Sequence, residues 1–269
     1  MKEIDIAILD NDFIEKCQKI TLGNSCLLER FFETSIKKAV CHEAILKECA
    51  QGKSDSPEYL FLLKMIKMGK IQIKADVDLI DDDSQESIRY YLFIYSKSIS
   101  IFYPHNRIIL DAFQQVFSHM ESLKTRQQVF FELQSIENQI TNHFGEFKTC
   151  ILISYILEYS HKKVFYFCSD DKGAHSKITS MYGDLVRSLK PYSVIVYCYN
   201  KNFLTNEEAI LAMKNTEMIG TIKYRERTGK IIYCTAEVFL NHLFHTSLGC
   251  SVFGDAQLIQ KPRSSQGPC

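Results

Sequence analysis

The sequence predicts an α/β layered fold built on a mostly parallel sheet. Strand-like and helix-like runs alternate over the first 200 residues, the pattern of such folds. Two of the strand-like runs also end in carboxylates. Ile4-Asp5-Ile6-Ala7-Ile8-Leu9 leads into Asp10-Asn11-Asp12, and Lys163-Val164-Phe165-Tyr166-Phe167-Cys168-Ser169 leads into Asp170-Asp171. In open parallel sheets, ligands bind beyond the carboxyl ends of the strands. If the two runs are neighbouring strands, their acids meet at one edge of one sheet.

The elements follow in order. Residues 4–10 read as a short buried strand, and Asp12 suits the cap of a helix through Cys17. A second helix is expected over 25–37 and a short strand at Ala39-Val40-Cys41. Ile45, Leu46 and Cys49 then give 42–49 helical spacing. Residues 52–57 form a loop, 59–68 a helix, and 70–74 alternate like a half-buried strand. The stretch 76–83 holds five aspartates and reads as a solvated loop. Helices are expected over 86–95, 105–123, 125–143 and, after Gly145, over 146–159. Residues 172–189 read as a helix with Gly183 as its weak point, and Ser193–Cys198, after Pro191, as a strand. Beyond them come a helix over 206–215 and a hairpin with arms 221–224 and 230–233. A last helix is expected over 237–245, before a disordered tail at 261–269. The reading divides the chain into a domain over 1–200, with a helical insertion at about 76–143, and a C-terminal appendage over 201–269.

Composition narrows the function classes. The 269 residues are 46% hydrophobic, enough for a sizeable core. Lys plus Arg and Asp plus Glu both number 32, so the cationic excess of a protein that coats nucleic acid is absent. Ten cysteines without a CxxC pair read as reduced, buried thiols. Lys2, Glu3 and Asp5 interrupt any apolar leader, and the most apolar stretch, 150–157, is far short of the ~20 residues of a membrane helix. A cytoplasmic protein without membrane attachment is expected.

The acids carry the chemistry. Two like charges ~5 Å apart repel by about 3 kcal/mol at an effective dielectric near 20. Crowded carboxylates are therefore either partly protonated or neutralised by a cation. All-oxygen donors suit Mg²⁺ or Mn²⁺. Two helix-borne acids are candidates to join Asp10, Asp12, Asp170 and Asp171. Glu48 lies on the helix after the Val40 strand. Glu146 follows Gly145 in the first turn of its helix, where a carboxylate also suits the helix dipole.

Four segments, in order, resemble the motifs of PIN-domain nucleases. Ile8-Leu9-Asp10-Asn11-Asp12-Phe13-Ile14 resembles their opening motif. Val40 to Cys49 resembles the strand and helix that carry one glutamate, here Glu48. Phe144-Gly145-Glu146-Phe147 resembles a "GE" helix start. Phe167-Cys168-Ser169-Asp170-Asp171 resembles the "SDD" motif that follows it. The resemblance covers about residues 4–198. It departs at Asp12, which replaces the usual Asn or Ser, at the long segment 76–143, and at Lys148, where some relatives carry an acid.

The resemblance implies a three-layer α/β/α sandwich and a metal-dependent endoribonuclease. Asp10, Glu48, Glu146 and Asp171 would be catalytic, and Asp10, Asp12, Glu48, Glu146, Asp170 and Asp171 would bind Mg²⁺ or Mn²⁺. The substrate would be RNA. The setting would be a toxin or defence effector held by an inhibitory protein partner, or RNA processing. Lys172, Lys223, Arg225, Arg227 and Lys230 are candidate phosphate contacts, with Tyr224 and Tyr233 placed to stack on bases.

Other readings stay open. Asp10 and Asp12 also match the DxD start of haloacid-dehalogenase-like phosphatases, although Phe13-Ile14 replace the usual Gly-Thr or Thr-Leu. A catalytically inactive PIN-like scaffold that binds RNA or protein is the non-enzymatic alternative. His242, His245 and Cys250 lack the partner pair of a zinc site. Cys41-His42-Glu43 has the residue types of a protease triad, but adjacent residues point in different directions.

Overall fold

The computed structural model describes residues 6–34, 36, 38–50, 55–159, 165–217, 222–225, 231–235, 251–253 and 257–259. The chain begins with β1 (Ile6–Leu9), α1 (Asn11–Lys19), β2 (Thr21–Leu22), β3 (Ser25–Cys26) and α2 (Leu27–Glu33). It continues through β4 (Lys38–His42), α3 (Glu43–Ala50), α4 (Pro57–Lys67), β5 (Ile71–Lys74), α5 (Gln85–Phe102), α6 (Arg107–Ser118), α7 (Arg126–Glu137) and α8 (Phe144–Tyr159). Next come β6 (Phe165–Cys168), α9 (Lys172–Tyr182), β7 (Val186–Leu189), α10 (Pro191–Asn200) and α11 (Asn206–Glu217). It ends with β8 (Ile222–Arg225), β9 (Ile231–Cys234), β10 (Ser251–Phe253) and β11 (Gln257–Ile259). Two compact units result: Met1–Lys38 with Phe165–Cys269, and Ala39–Val164. The fold is α/β, and the pairings β1–β6, β6–β7 and β4–β5 are all parallel.

In the first unit β1, β6 and β7 lie side by side in that order. Leu9 pairs with Cys168, and Cys168 with Leu189. The three strands therefore end at one level. All four residues of β1 are buried, as expected of a parallel strand covered on both faces. α1 buries Phe13, Ile14 and Cys17, and α2 buries Leu27, Leu28, Phe31 and Phe32. The Phe31 ring meets Phe13 at 6.3 Å and Tyr197 at 5.9 Å, edge-on in both cases.

Three expectations need correction here. The helix expected over 25–37 is the shorter α2, preceded by the hairpin β2–β3. The strand expected at 193–198 is α10, whose first nine residues are all buried. A helix enclosed on every side carries no polar stripe, so its apolar run reads like a strand. Pro191 at its first position, with φ preset, marks the helical start. The helix expected over 172–189 stops at Tyr182, because Gly183 takes φ +54 and turns the chain into β7. The predicted hairpin is present as antiparallel β8–β9, and β10 pairs with both β8 and β11. The helix expected over 237–245 and the tail 261–269 lie outside the described residues.

In the second unit β4 and β5 pair from Ala39↔Ile71 to His42↔Lys74. The expected helices of the long insertion form as α5, α6 and α7. Ser84, Asn106 and Thr125 each accept a hydrogen bond from the backbone N–H three residues on. α5 runs to Phe102 rather than Tyr95, because Ser98, Ile99 and Phe102 extend its buried face. Tyr95 stacks on Phe113 at 5.5 Å and meets Phe147 of α8 edge-on at 5.1 Å. Among the described residues no helix is long and apolar enough to cross a membrane.

Candidate functional site

Four of the six predicted metal acids belong to the first unit. Asp10 leaves β1 with its backbone N–H on the Cys168 carbonyl at 2.9 Å, and its side chain is buried. The Ser169 hydroxyl donates to Asp10 Oδ2 at 2.7 Å and accepts from the Asp171 backbone N–H at 3.0 Å. One buried serine thus joins the two acids expected to matter most. Asp171 caps α9, its Oδ1 accepting from Ala174 N–H at 2.5 Å. Ser169 is held from behind, since its carbonyl meets His175 Nε2 while Ser188 Oγ meets Nδ1.

Two lysines stand among these carboxylates. Lys16 Nζ lies 2.5 Å from Asp170 Oδ2 and 3.8 Å from Asp12 Oδ2. Nearly buried Lys190 lies 3.9 Å from Asp170 Oδ1. Burial, with repulsion from Asp170, Glu15 and Asp171, pushes the Asp12 carboxyl above its usual value despite the pull of Lys16. Burial works against the Lys16 ammonium, but the bond to Asp170 and the charge of Asp12 outweigh it and raise its pKa. Lys16 was missed by the sequence reading. Its position four residues after Asp12 on one helix was the available signal.

Glu48 and Glu146 belong to the second unit. Gly145 N–H donates to Glu48 Oε1 at 3.0 Å, so Glu48 satisfies one of the orphan donors at the start of α8. A Cβ on Gly145 would stand 2.4 Å from that oxygen, so the glutamate fills the space glycine leaves. Glu146 Oε1 meets the His143 ring at 3.3 Å. Burial, with the charges of Glu146 and Glu48, pushes the Tyr103 hydroxyl above its usual value.

In the acidic stretch at 76–83, Asp78, Asp81, Asp82 and Asp83 are exposed, as the solvated-loop reading expects, but Asp76 is not. Asp76 accepts from Lys148 Nζ at 2.6 Å and from the Tyr91 hydroxyl at 2.6 Å. Lys148, 1% exposed, also pairs with Glu137, which accepts from the Tyr95 hydroxyl at 3.2 Å. The Lys148 ammonium lies 5.4 Å from the Phe144 ring centre and 5.5 Å from that of Tyr95. Burial disfavours the Asp76 charge, yet Lys148 and His42 together hold its carboxyl far below the usual range. Asp81 accepts from the Tyr155 hydroxyl at 2.9 Å, and Asp83 from Arg126. These aspartates tie the segment after β5 to α5, α7 and α8. A lysine amid the apolar residues Phe147, Cys150 and Ile151 was the trace of this in the sequence.

Cys41 and His42 form no triad. His42 Nδ1 accepts from Ala44 N–H at 3.1 Å. Its Nε2 lies 3.4 Å from Asp76 Oδ1, near enough for a charge contact but poorly aligned for a hydrogen bond. Of the candidate phosphate contacts, Lys172 is exposed at the start of α9. Lys223 and Arg225 lie on β8, opposite Tyr233 and Ile231 of β9. Arg227, Lys230, His242, His245 and Cys250 lie outside the described residues.

The first-unit donors are carboxylate and hydroxyl oxygens, the chemistry a hard divalent cation takes. Among the described residues, no three His, Cys, Asp or Glu side chains are grouped closely enough to hold a metal ion as they stand. An ion would have to draw these carboxylates together. Compared with protein-family models, curated proteins and solved structures, the chain matches none.

Proposed function

We propose that the protein is a divalent-metal-dependent endoribonuclease of PIN-like, three-layer α/β/α type. The observation that carries the reading is the pair Asp10 and Asp171, which follow adjacent parallel strands, with the Ser169 hydroxyl donating to the Asp10 carboxylate and accepting from the Asp171 backbone N–H. The nature of the substrate, RNA, rests on the resemblance of the four motifs. Bound Mg²⁺ or Mn²⁺ supplies a water of lowered pKa and stabilises the leaving oxygen of a phosphodiester. Asp10 and Asp171 would hold it, with Asp12 beside them. Ser169 aims the Asp10 carboxylate, and His175 fixes the peptide that carries Ser169. Lys16 and Lys190 hold Asp170. Lys172, exposed next to Asp171, would meet the flanking phosphate.

The test is cleavage of RNA in Mg²⁺ or Mn²⁺ by wild type, Asp10→Asn and Asp171→Asn. Cleavage by wild type alone is expected. Undiminished cleavage by both variants would sink the reading, and a phosphate trapped covalently on Asp10 would replace it with a phosphatase. Glu48→Gln and Glu146→Gln test the part the sequence assigns to those acids. Under the toxin reading, expression of the chain alone arrests growth, and Asp10→Asn relieves the arrest.

A further inference from the structure

The sheet of β8 to β11 has two unlike faces. Its strand order is β11–β10–β8–β9, and every pairing in it is antiparallel. Paired residues share a face, and successive residues alternate between faces. Ile222, Tyr224, Ile232, Cys234, Val252 and Leu258 therefore fall together on one face, the composition of a face that packs on other residues. Lys223 and Arg225 fall on the other. Lys223 pairs with Tyr233 of β9, and Arg225 pairs with Ile231 of β9 and Ser251 of β10. The same register brings Phe253 of β10 level with Lys223. A cationic residue thus stands between two aromatic ones that lie two strands, or about 10 Å, apart. Tyr233 is 67% exposed, so this face is open at β9. The four strands hold no carboxylate, and their two charged residues are both cationic. Tyr224, the other stacking candidate of the sequence, belongs to the apolar face.

We propose that this face of the sheet is a platform for single-stranded RNA, with Tyr233 and Phe253 stacking on bases and Lys223 and Arg225 meeting phosphates. An unpaired strand presents the π-faces of its bases to aromatic residues, whereas a duplex hides them. The two cationic residues, with no acid among the strands, complement the phosphate charge. The choice of RNA rests on the nuclease reading above, and the platform adds the form of the substrate, which is unpaired. A chain of zero net charge can still present such a local basic face.

The experiment is fluorescence anisotropy of a labelled oligouridine titrated with the full chain in EDTA, where metal-dependent cleavage is silent. Wild type should bind. Tyr233→Ala should weaken binding roughly 5- to 150-fold, and Tyr233→Phe, which keeps the ring, should bind like wild type. Lys223→Gln should lower the slope of log affinity against log salt by about 0.7. Tyr233 is exposed, so its truncation spares the core, and thermal melts confirm that each variant is folded. No oligouridine bound by wild type, or Tyr233→Ala binding as wild type does, would overturn the inference. Tighter binding of duplex RNA, or of single-stranded DNA of the same length, would overturn it as well. So would a wild-type dimer that Tyr233→Ala dissociates with no RNA bound, which would give the face to a second copy of the chain. The two readings fail separately. RNA cleaved in Mg²⁺ but not held through Tyr233 leaves only the nuclease, and RNA held in EDTA but never cleaved leaves only the platform.

Discussion

Gly145→Ala is the sharpest structural test of how the two second-unit acids are arranged. The new Cβ would stand 2.4 Å from Glu48 Oε1, 2.5 Å from Oε2 and 2.6 Å from Cδ. Ordinary van der Waals contact begins near 3.4 Å, so the carboxylate must retreat by about 1 Å. The end of a glutamate moves easily, and the steric cost itself is small. The retreat, however, stretches the 3.0 Å hydrogen bond from Gly145 N–H past useful length. A hydrogen bond to a charged group contributes roughly 1.5–3 kcal/mol. Alanine returns up to about 1 kcal/mol through helix propensity. The expected net loss is about 1–2 kcal/mol, read as a lower urea midpoint at unchanged slope. In a Glu48→Ala background the same substitution should be neutral or stabilising, because nothing is left to displace. An equal loss in both backgrounds would refute the reasoning, since Glu48 would then not be its cause.

Other outcomes follow from the buried charges and the caps. Lys148→Met leaves Asp76 and Glu137 without their shared ammonium and should destabilise by roughly 3–5 kcal/mol. Lys148→Met with Asp76→Asn should recover part of that in the same denaturation assay. The folded-state pKa of Asp76 is depressed, so its stabilisation is complete above the unfolded value of about 3.9 and is lost as pH falls below it. Acid unfolding of Asp76→Asn should therefore show a weaker pH dependence below about pH 4 than that of wild type. Asp171→Ala removes the cap of α9 and should cost about 1 kcal/mol, whereas Asp171→Asn keeps a good cap. Denaturation should separate these two variants, while cleavage is lost in both.

Much of the site's framework was legible because it depends on local rules. Apolar runs ending in acids marked β1 and β6, and their parallel pairing sets Asp10 beside Ser169. The hairpin of β8 and β9 was legible from its alternating arms around a glycine-bearing turn. The run at 193–198 misled, because a fully enclosed helix and a buried strand share one composition, and only packing separates them. Within the acidic run, Asp76 alone misled, for the opposite reason. Charge density predicts solvation unless partners arrive from afar, and here Lys148 lies 72 residues from Asp76.

The sequence by itself determined the α/β class, the order of most elements and the positions of the acids, since periodicity and capping act within a few residues. Tertiary structure alone decided what those acids do. It gave Asp170 to Lys16 and Lys190, Asp76 to Lys148, and Glu48 to the backbone of α8. A carboxylate's role is set by whichever cation or donor stands within about 3–4 Å of it, and the chain brings such partners from positions that no local pattern connects.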